Sequence, residues 1–384
     1  MITTGYWKQT YAEKRLIVND ELRNRVSYVP LVRDQNDIIL KLTSHQMQNR
    51  WKWLSYHRDF FYYPLTVPKC ELIHCFNGIC QTKLPWFSSY ETMLPRILNM
   101  NLDRGVGKWL MKRDAALMAH NNCKGLFPIS QSAYEIEKRH LQNNAGEYYE
   151  EIMKKTRVIH PPQKELISEE DIIVKNQAIQ DHIEFVLVGS GFWYKGGKEA
   201  VEVLTKLRKE YAIHLTIISN FYEVPKQEPQ YTKEDYRQCK RLIAENRDWI
   251  RVYNNLTNRQ VLRICRQCHV GLLPSYGDTY GYACLEFQAC GMPVVTSDIR
   301  AFPEINNDAC GYMFHIDGHM SGKEKQENNR VELTKIFEEI LEHPAEIERK
   351  GINSLKRIRK EHSPKEYGQF MYRQYEKALG LRSL

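Results

Sequence analysis

The sequence predicts an α/β protein of two domains, each built on a parallel sheet. Three observations carry the prediction. Through the second half, short apolar runs with strand character alternate with segments of helical length. Glycine-rich turns follow two of those strands directly, around Gly189 and around Gly277. The chain has 384 residues, 42% of them hydrophobic and 27% charged, which is enough for two cores and too apolar for a disordered chain. Strands alternating with helices form βαβ units, and these assemble into parallel sheets.

In the first half, strands are expected at 15–18, 27–29, 71–75, 86–88 and 125–129. The pattern over 105–120 predicts an amphipathic helix. Ser132 and Glu135 have the spacing of a capping box that opens another. The economical reading is a first α/β domain over 1–165. Residues 160–181 begin His-Pro-Pro and are rich in charge, so a connection is placed within 166–182.

The second domain, 183–360, alternates more clearly. Strands are expected at 184–188, 214–219, 250–253, 270–273, 293–297 and 312–315. Helices are expected at 197–211, 233–246, 258–268 and 281–290. In the tail, 361–384, Ser363 and Glu366 form a capping box with Pro364 at the first helical position. Tyr367, Phe370, Met371 and Ala378 then share one face of that helix.

Composition excludes several classes. Lysine and arginine total 55 against 47 acidic residues, a net charge of +8. A basic balance suits an anionic ligand, an acidic membrane surface or nucleic acid, and does not choose among them. Nothing resembles a nucleic-acid-binding module, and the 23 tyrosines are dispersed rather than set as a stacking platform. Lys356, Arg357, Arg359 and Lys360 read as a solvated helix face. No apolar run approaches the length of a membrane span, and 1–10 does not read as a signal peptide. The ten scattered cysteines suit reduced thiols, as in cytoplasm. Cys265 and Cys268 form a C-x-x-C without a second pair at zinc spacing, so core packing is expected of them.

The densest chemistry lies between Pro274 and Thr296. A strand, a glycine-rich turn, a helix and a further strand follow one another there. A helix that opens after a parallel strand presents free backbone N–H groups and a positive dipole end, a site for phosphate or a polyhydroxyl ligand. Asp278 falls in the turn and Glu286 about a turn and a half into the helix. A carboxylate can hold a vicinal diol through two charge-assisted hydrogen bonds. Either acid alone reads as an ordinary surface residue. The pair, Gly277, Gly281 and the following Gly291-x-Pro293-Val294-Val295 favour a ligand site.

This run resembles the signature of the GT4 retaining glycosyltransferases, in which two acidic residues with seven residues between them precede a Gly-x-Pro-Val-Val. The matching positions are Pro274, Ser275, Asp278, Tyr280, Gly281, Glu286, Gly291, Pro293, Val294 and Val295. The first acid is Asp where the family usually has Glu. The resemblance covers roughly 183–314 well and the first half weakly. It implies the GT-B fold: two Rossmann-like domains facing a cleft, with a last helix that crosses back to the first domain. It also implies that Asp278 faces the donor sugar and that Glu286 binds the nucleotide ribose. Tyr280, Gly281 and Tyr282 then belong to the donor site.

A second glycine-rich loop, Gly189-Ser190-Gly191 and onward to Lys195-Gly196, follows the strand at 184–188. It fits neither a dinucleotide-binding fingerprint nor a P-loop. The family pattern is Gly-Arg, a short gap, then Lys-Gly; here Ser190 stands where Arg is usual and Lys195 matches the Lys. A leaving nucleotide diphosphate gains negative charge as the glycosidic bond breaks, and preplaced cations stabilise it. Lys195 is the candidate, with Arg300 or Lys198 available to complete the clamp. In the first domain, 72–77 with His74 resembles a family strand that ends in His, and 86–91 resembles a following strand that in some members ends in a His near the reacting sugar, where Tyr90 or Glu91 stands here; an isolated His74 is more often structural than catalytic. Glu91 could bind an acceptor hydroxyl or take its proton. No D-x-D element is present, so no metal and no cofactor beyond the nucleotide-sugar co-substrate is expected.

The resulting expectation is a cytoplasmic, retaining transferase. It would move a sugar from a nucleotide-diphosphate donor to a hydroxyl of a glycan or glycolipid, in surface polysaccharide or glycolipid synthesis. The basic charge is compatible with peripheral contact at an acidic inner membrane face. No nucleic-acid partner is expected. The alternatives are a non-catalytic nucleotide-sugar-binding subunit descended from a transferase, and a sugar-nucleotide epimerase on a similar fold.

Overall fold

The computed structural model describes residues 1–6, 11–31, 47, 51–64, 68–97, 100–221 and 231–381. The chain divides into two units, one of Met1–Pro162 with Ser363–Leu384 and the other of Gln163–His362.

In the first unit the strands are β1 (Ile2–Tyr6), β2 (Val26–Pro30), β3 (Phe61–Tyr62), β4 (Leu72–Phe76), β5 (Ile79–Cys80), β6 (Trp86–Tyr90) and β7 (Cys123–Pro128). The main sheet runs β2-β1-β4-β6-β7 and every pairing is parallel. β3 and β5 pair separately. β4 and β6 are buried along their whole length, as strands covered on both faces must be. Helix Gly105–Ala119 sets Leu110, Met111, Ala115 and Met118 into the core with Ile73, Trp86 and Leu126. Helix Pro364–Ala378 starts as expected: Ser363 accepts a hydrogen bond from the Glu366 N–H, and Pro364 lies in the first turn. It packs in this unit, where Tyr367 Oη donates to the Leu16 carbonyl at 2.8 Å and Phe370 meets Phe127 edge-on.

The second unit contains β8 (Ile183–Val188), β9 (Ile213–Ile218), β10 (Ile250–Tyr253), β11 (Val270–Leu273), β12 (Val294–Ser297) and β13 (Gly311–Phe314). They form one parallel sheet in the order β10-β9-β8-β11-β12-β13. Phe185, Leu187, Leu215, Ile217, Val270, Leu272 and Val295 make its core, with Phe337 and Leu333 from the following helices. From β8 the chain first works outward through β9 to β10. It then returns to the other side of β8 and works outward through β11 to β13. β8 and β11 are therefore neighbours at a topological switch point, and ligands of such sheets bind beyond the carboxyl ends of the strands there.

Several local expectations need correction. Residues 15–18, expected as a strand, lie in helix Tyr11–Leu16 and the turn after it. Leu16, Ile17 and Val18 are consecutive apolar residues, but the buried pair Ala12 and Leu16 has helical spacing. Ser132 is not the cap of the next helix; Ser130 is, accepting a bond from the Ala133 N–H at 2.9 Å. Residues 166–182 are built into the second unit: helix Glu169–Asn176 has its own Ser168–Asp171 capping box and buries Ile172. β1 was hidden by its polar Thr3-Thr4-Gly5 centre, and helix Gly322–Glu342 was not anticipated; helix Ala345–Glu361 carries the basic cluster at 356–360, as expected. The basic cluster is partly used up internally: Arg359 pairs with Glu165 and Glu169, and Arg357 with Glu361. All ten cysteines are free thiols, and Cys265 and Cys268 are buried. Among the described residues, no helix is long and apolar enough to cross a membrane.

Candidate functional site

The loops that leave β8 and β11 come together. Lys195 Nζ, from the first loop, forms an ion pair with Asp278 Oδ2, from the second. Both side chains are mostly buried, at 17% and 14% exposure. The backbone reinforces the junction: the Tyr276 N–H donates to the Tyr194 carbonyl at 3.0 Å. The Gly189 N–H donates to Ile218 at 3.1 Å, which ties the start of the first loop to β9. Sequence reasoning had placed Lys195 and Asp278 in one site. It had not foreseen that they contact each other.

Glycine is required at two places in this junction. Gly196 has φ of 70°, and a Cβ there would stand 2.3 Å from the Pro274 carbonyl oxygen. Gly281 has φ of 92°, and a Cβ there would stand 2.3 Å from Phe302 Cε1. Both backbone conformations disfavour an L side chain, and both positions lack the room for one.

These two glycines are also helix caps. Gly196 precedes helix Gly197–Leu207 and Gly281 precedes helix Tyr282–Ala289, and no side chain caps either helix. Elsewhere in the unit Ser168, Thr232, Thr257 and Ser321 all supply a capping oxygen. Two helix N-termini at the carboxyl ends of β8 and β11 thus lack a capping side chain at the N-cap. Such an end attracts anionic oxygen.

Glu286 lies in helix Tyr282–Ala289 and is 8% exposed. Its Oε1 accepts a hydrogen bond from Asn258 Nδ2 at 3.0 Å. Asn258 is the first residue of helix Asn258–Cys265, which follows β10. Its role was missed in the sequence, although the Thr257–Gln260 capping box marks where that helix begins. Tyr280 is buried and Tyr282 half-buried, with ring centroids 5.2 Å apart. Ser190 is exposed and Gly191 half-buried in the first loop.

A supporting layer holds the loops and was likewise missed. Asn329 Nδ2 donates to the Pro274 carbonyl at 3.0 Å, and Ser297 Oγ to the Ser275 carbonyl at 2.6 Å. Behind the first loop, Tyr231 Oη donates to Glu199 at 2.9 Å. Burial pushes the Glu199 carboxyl up to about 7. Only the sequence distance between Asn329 and the motif hid its part; the amide itself gives no local signal.

Lys198 does not complete a phosphate clamp. It is 4% exposed and paired with Glu202 at 2.8 Å and Asp235 at 3.4 Å. Arg300 is exposed and has φ of 51°.

The first-unit candidates separate. His74 is wholly buried, with Nδ1 2.7 Å from Tyr375 Oη and Nε2 2.9 Å from Ser89 Oγ. Burial lowers its pKa to about 3, so the ring is neutral and serves as a bridge between β4, β6 and the C-terminal helix. Tyr90 is also wholly buried, and burial raises its hydroxyl well above the usual phenol range. Both are core residues here, which corrects the expectation that they face an acceptor. Their strands are buried on both faces, so the position of a polar residue in the strand says nothing about access. Glu91 differs. It sits half-buried just past the end of β6, with its N–H donating to Asn77 Oδ1 at 3.1 Å and Arg96 Nη1 3.9 Å from its carboxylate.

Two Rossmann-like units, with a last helix belonging to the first of them, define the GT-B architecture of sugar transferases. Residues 168–327, within the second unit, match the family described as glycosyl transferases group 1. Solved structures share the fold. Anabaena HepE in complex with UDP and glucose superposes with a TM-score of 0.61 at 14% identity, over 98% of this chain and 100% of that one. A glycosyltransferase from Rickettsia africae gives 0.61 at 11% identity, covering 98% of each chain. WaaG, a glycosyltransferase involved in lipopolysaccharide biosynthesis, gives 0.56 at 12% identity over 96% and 99%. No curated protein matches the sequence.

Proposed function

We propose that this chain is a retaining glycosyltransferase that takes a sugar from a nucleotide-diphosphate donor. The observation that carries the reading is the junction of the β8 and β11 loops, where Lys195, Asp278 and two glycine-capped helix N-termini converge. Cations and backbone N–H groups fixed at that place act on the charge that develops as a diphosphate leaves. The donor's ribose is assigned to Glu286, whose carboxylate is oriented by Asn258. Two carboxylate oxygens suit a vicinal diol. Asp278 is assigned to the donor sugar.

The contact between Lys195 and Asp278 gives this assignment a mechanism. Before the reaction the Asp278 carboxylate offsets part of the ammonium charge. As the diphosphate becomes more negative, its attraction for Lys195 grows relative to that of Asp278. The same lysine can thus stabilise the transition state more than the bound donor, which is the condition for catalysis. Ser190 leaves the first loop without the usual Arg, so more of this task falls on Lys195 and the helix N-termini. The acceptor is a hydroxyl of a glycan or glycolipid, with Glu91 assigned to receive its proton. Neither a metal nor a further cofactor takes part in this scheme.

The test is incubation with a panel of nucleotide sugars, with the released or transferred sugar followed by NMR. The proposal expects transfer, or slow hydrolysis without acceptor, to give the donor's own anomeric configuration first. Inverted product would contradict the retaining assignment. Nucleotide binding with neither transfer nor hydrolysis would favour the non-catalytic subunit instead.

A further inference from the structure

The opposite end of the second sheet carries a polar cluster that the donor site does not use. A strand in a parallel sheet covered on both faces is ordinarily apolar throughout. β8 and β9 break that rule at their starts. Glu184 and His214 are directly opposed in the register of the two strands. Thr216 lies two residues beyond His214, on the same face, and His182 two residues before Glu184. Glu184 is 7% exposed, and burying a carboxylate is costly unless something compensates it.

The compensation present is incomplete. Thr216 Oγ1 donates to Glu184 Oε1 at 2.7 Å. On the other oxygen, Oε2, Arg251 Nη1 stands at 4.0 Å and His214 Nδ1 at 3.7 Å, both too long for hydrogen bonds. His214 Nδ1 is buried and has no hydrogen-bond partner. The His182 ring stacks on that of His214, with centroids 4.3 Å apart and planes at 29°. His269, next door, is committed elsewhere: its Nδ1 is bonded to the Glu184 N–H at 2.9 Å.

One donor atom from each of His182, Glu184 and His214 lies within 4.8 Å of the others. Two nitrogen ligands of a tetrahedral zinc ion, each about 2.1 Å from it, sit roughly 3.4 Å apart. Side-chain rotation of the order of an ångström closes that difference. Two imidazoles and one carboxylate suit zinc or a similar borderline divalent ion, whereas magnesium and calcium prefer all-oxygen sites. We propose that His182, Glu184 and His214 bind a divalent transition-metal ion of the zinc class, with a water at the fourth position. Glu184 lies four residues from the end of β8, about 13 Å from the donor loops. The ion therefore serves as a clamp across β8, β9 and the turn before β8, not as a partner of the leaving diphosphate. Arg251, whose side chain is 56% exposed, swings away from the carboxylate when the ion binds.

The test is calorimetric titration of the full chain with zinc chloride, its thiols kept reduced, alongside thermal melting with zinc or magnesium. The proposal expects about one zinc per chain and a saturable rise in Tm of a few degrees with zinc only. His182→Gln and His214→Gln, each checked for an unchanged fold by circular dichroism, should weaken zinc at least about tenfold. Arg251→Gln removes a competing cation and should tighten it, an outcome that loss of structure would not produce. Cys268→Ser should change nothing. Absence of zinc binding overturns the proposal. Zinc binding that survives both histidine substitutions, or disappears with Cys268, overturns it equally, because the ion then sits elsewhere.

Discussion

Lys195 and Asp278 are each ambiguous in isolation, one an ordinary loop lysine and the other an ordinary helix-start acid. Their contact couples the two assignments, so substitutions at them should not act independently. Lys195→Ala removes the positive charge nearest the expected diphosphate. It should weaken nucleoside diphosphate binding by roughly tenfold or more and leave the nucleoside monophosphate nearly unaffected. Titrating both nucleotides into the variant checks this, and equal losses would move the phosphate contact to another residue. Asp278→Asn should have the opposite signature. It frees Lys195, so diphosphate affinity should hold or rise, while transfer falls by at least about a hundredfold. A parallel fall in affinity would argue against a sugar-facing carboxylate. The acid pair at 278 and 286 and the lysine at 195 could be proposed from the sequence because their spacing and neighbours form a recognisable pattern, and the structure brings Lys195 and Asp278 together. Asn258 could not, since a single Asn gives no sign of which distant carboxylate it will meet. His74 could not be decided from sequence for the complementary reason: an isolated histidine in a strand is more often structural than catalytic, and only burial shows that it is a core hydrogen-bond bridge.

At the scale of elements, helix Gly197–Leu207 connects the loop after β8 to the core. Its first turn carries Glu199, wholly buried and bonded to Tyr231. Burial holds the folded carboxyl near pH 7, against 4.5 as the ordinary value. Between those values the folded chain binds more protons than the unfolded one, so stability falls as pH rises. The loss begins above about 4.5 and is complete once pH passes about 7. A shift of this size corresponds to roughly 3 kcal/mol as an upper order of magnitude. Urea unfolding of the parent and of Glu199→Gln at pH 5 and pH 7.5 isolates it. The parent should lose more stability between the two values than the variant; equal losses would mean that Glu199 ionises freely in the fold. Elements with one dominant period were legible in advance, β8 to β13 above all, because β-branched and aliphatic runs punctuated by glycine permit no other reading. β1 was not, since Thr3, Thr4 and Gly5 hide a strand paired on both sides. The 15–18 segment failed because three consecutive apolar residues fit a strand or a helix, and the Ala12–Leu16 spacing decides only once burial is known.

For the whole molecule, the return of the last helix to the first unit could not follow from local pattern. The capping residues at Ser363 and Pro364 announce a helix but not its destination. The destination came from resemblance, and Tyr367 and Tyr375 show its physical basis: their hydroxyls reach Leu16 and His74 in the first unit. The fold then narrows the location of the site through the switch point between β8 and β11, independently of the motif. Motif and topology pointing to one pair of loops is the core of the functional account. The most direct test is a thermal-shift panel of UDP, GDP, ADP, CDP and TDP against the intact chain without added metal, repeated with Glu286→Ala. The account predicts a clear rise in Tm with one of the five nucleotides. It predicts that Glu286→Ala abolishes the rise, for a loss of about 2–5 kcal/mol in binding. A folded protein that responds to none of them, or whose response survives removal of Glu286, would contradict the assignment of this site to a nucleotide-sugar donor.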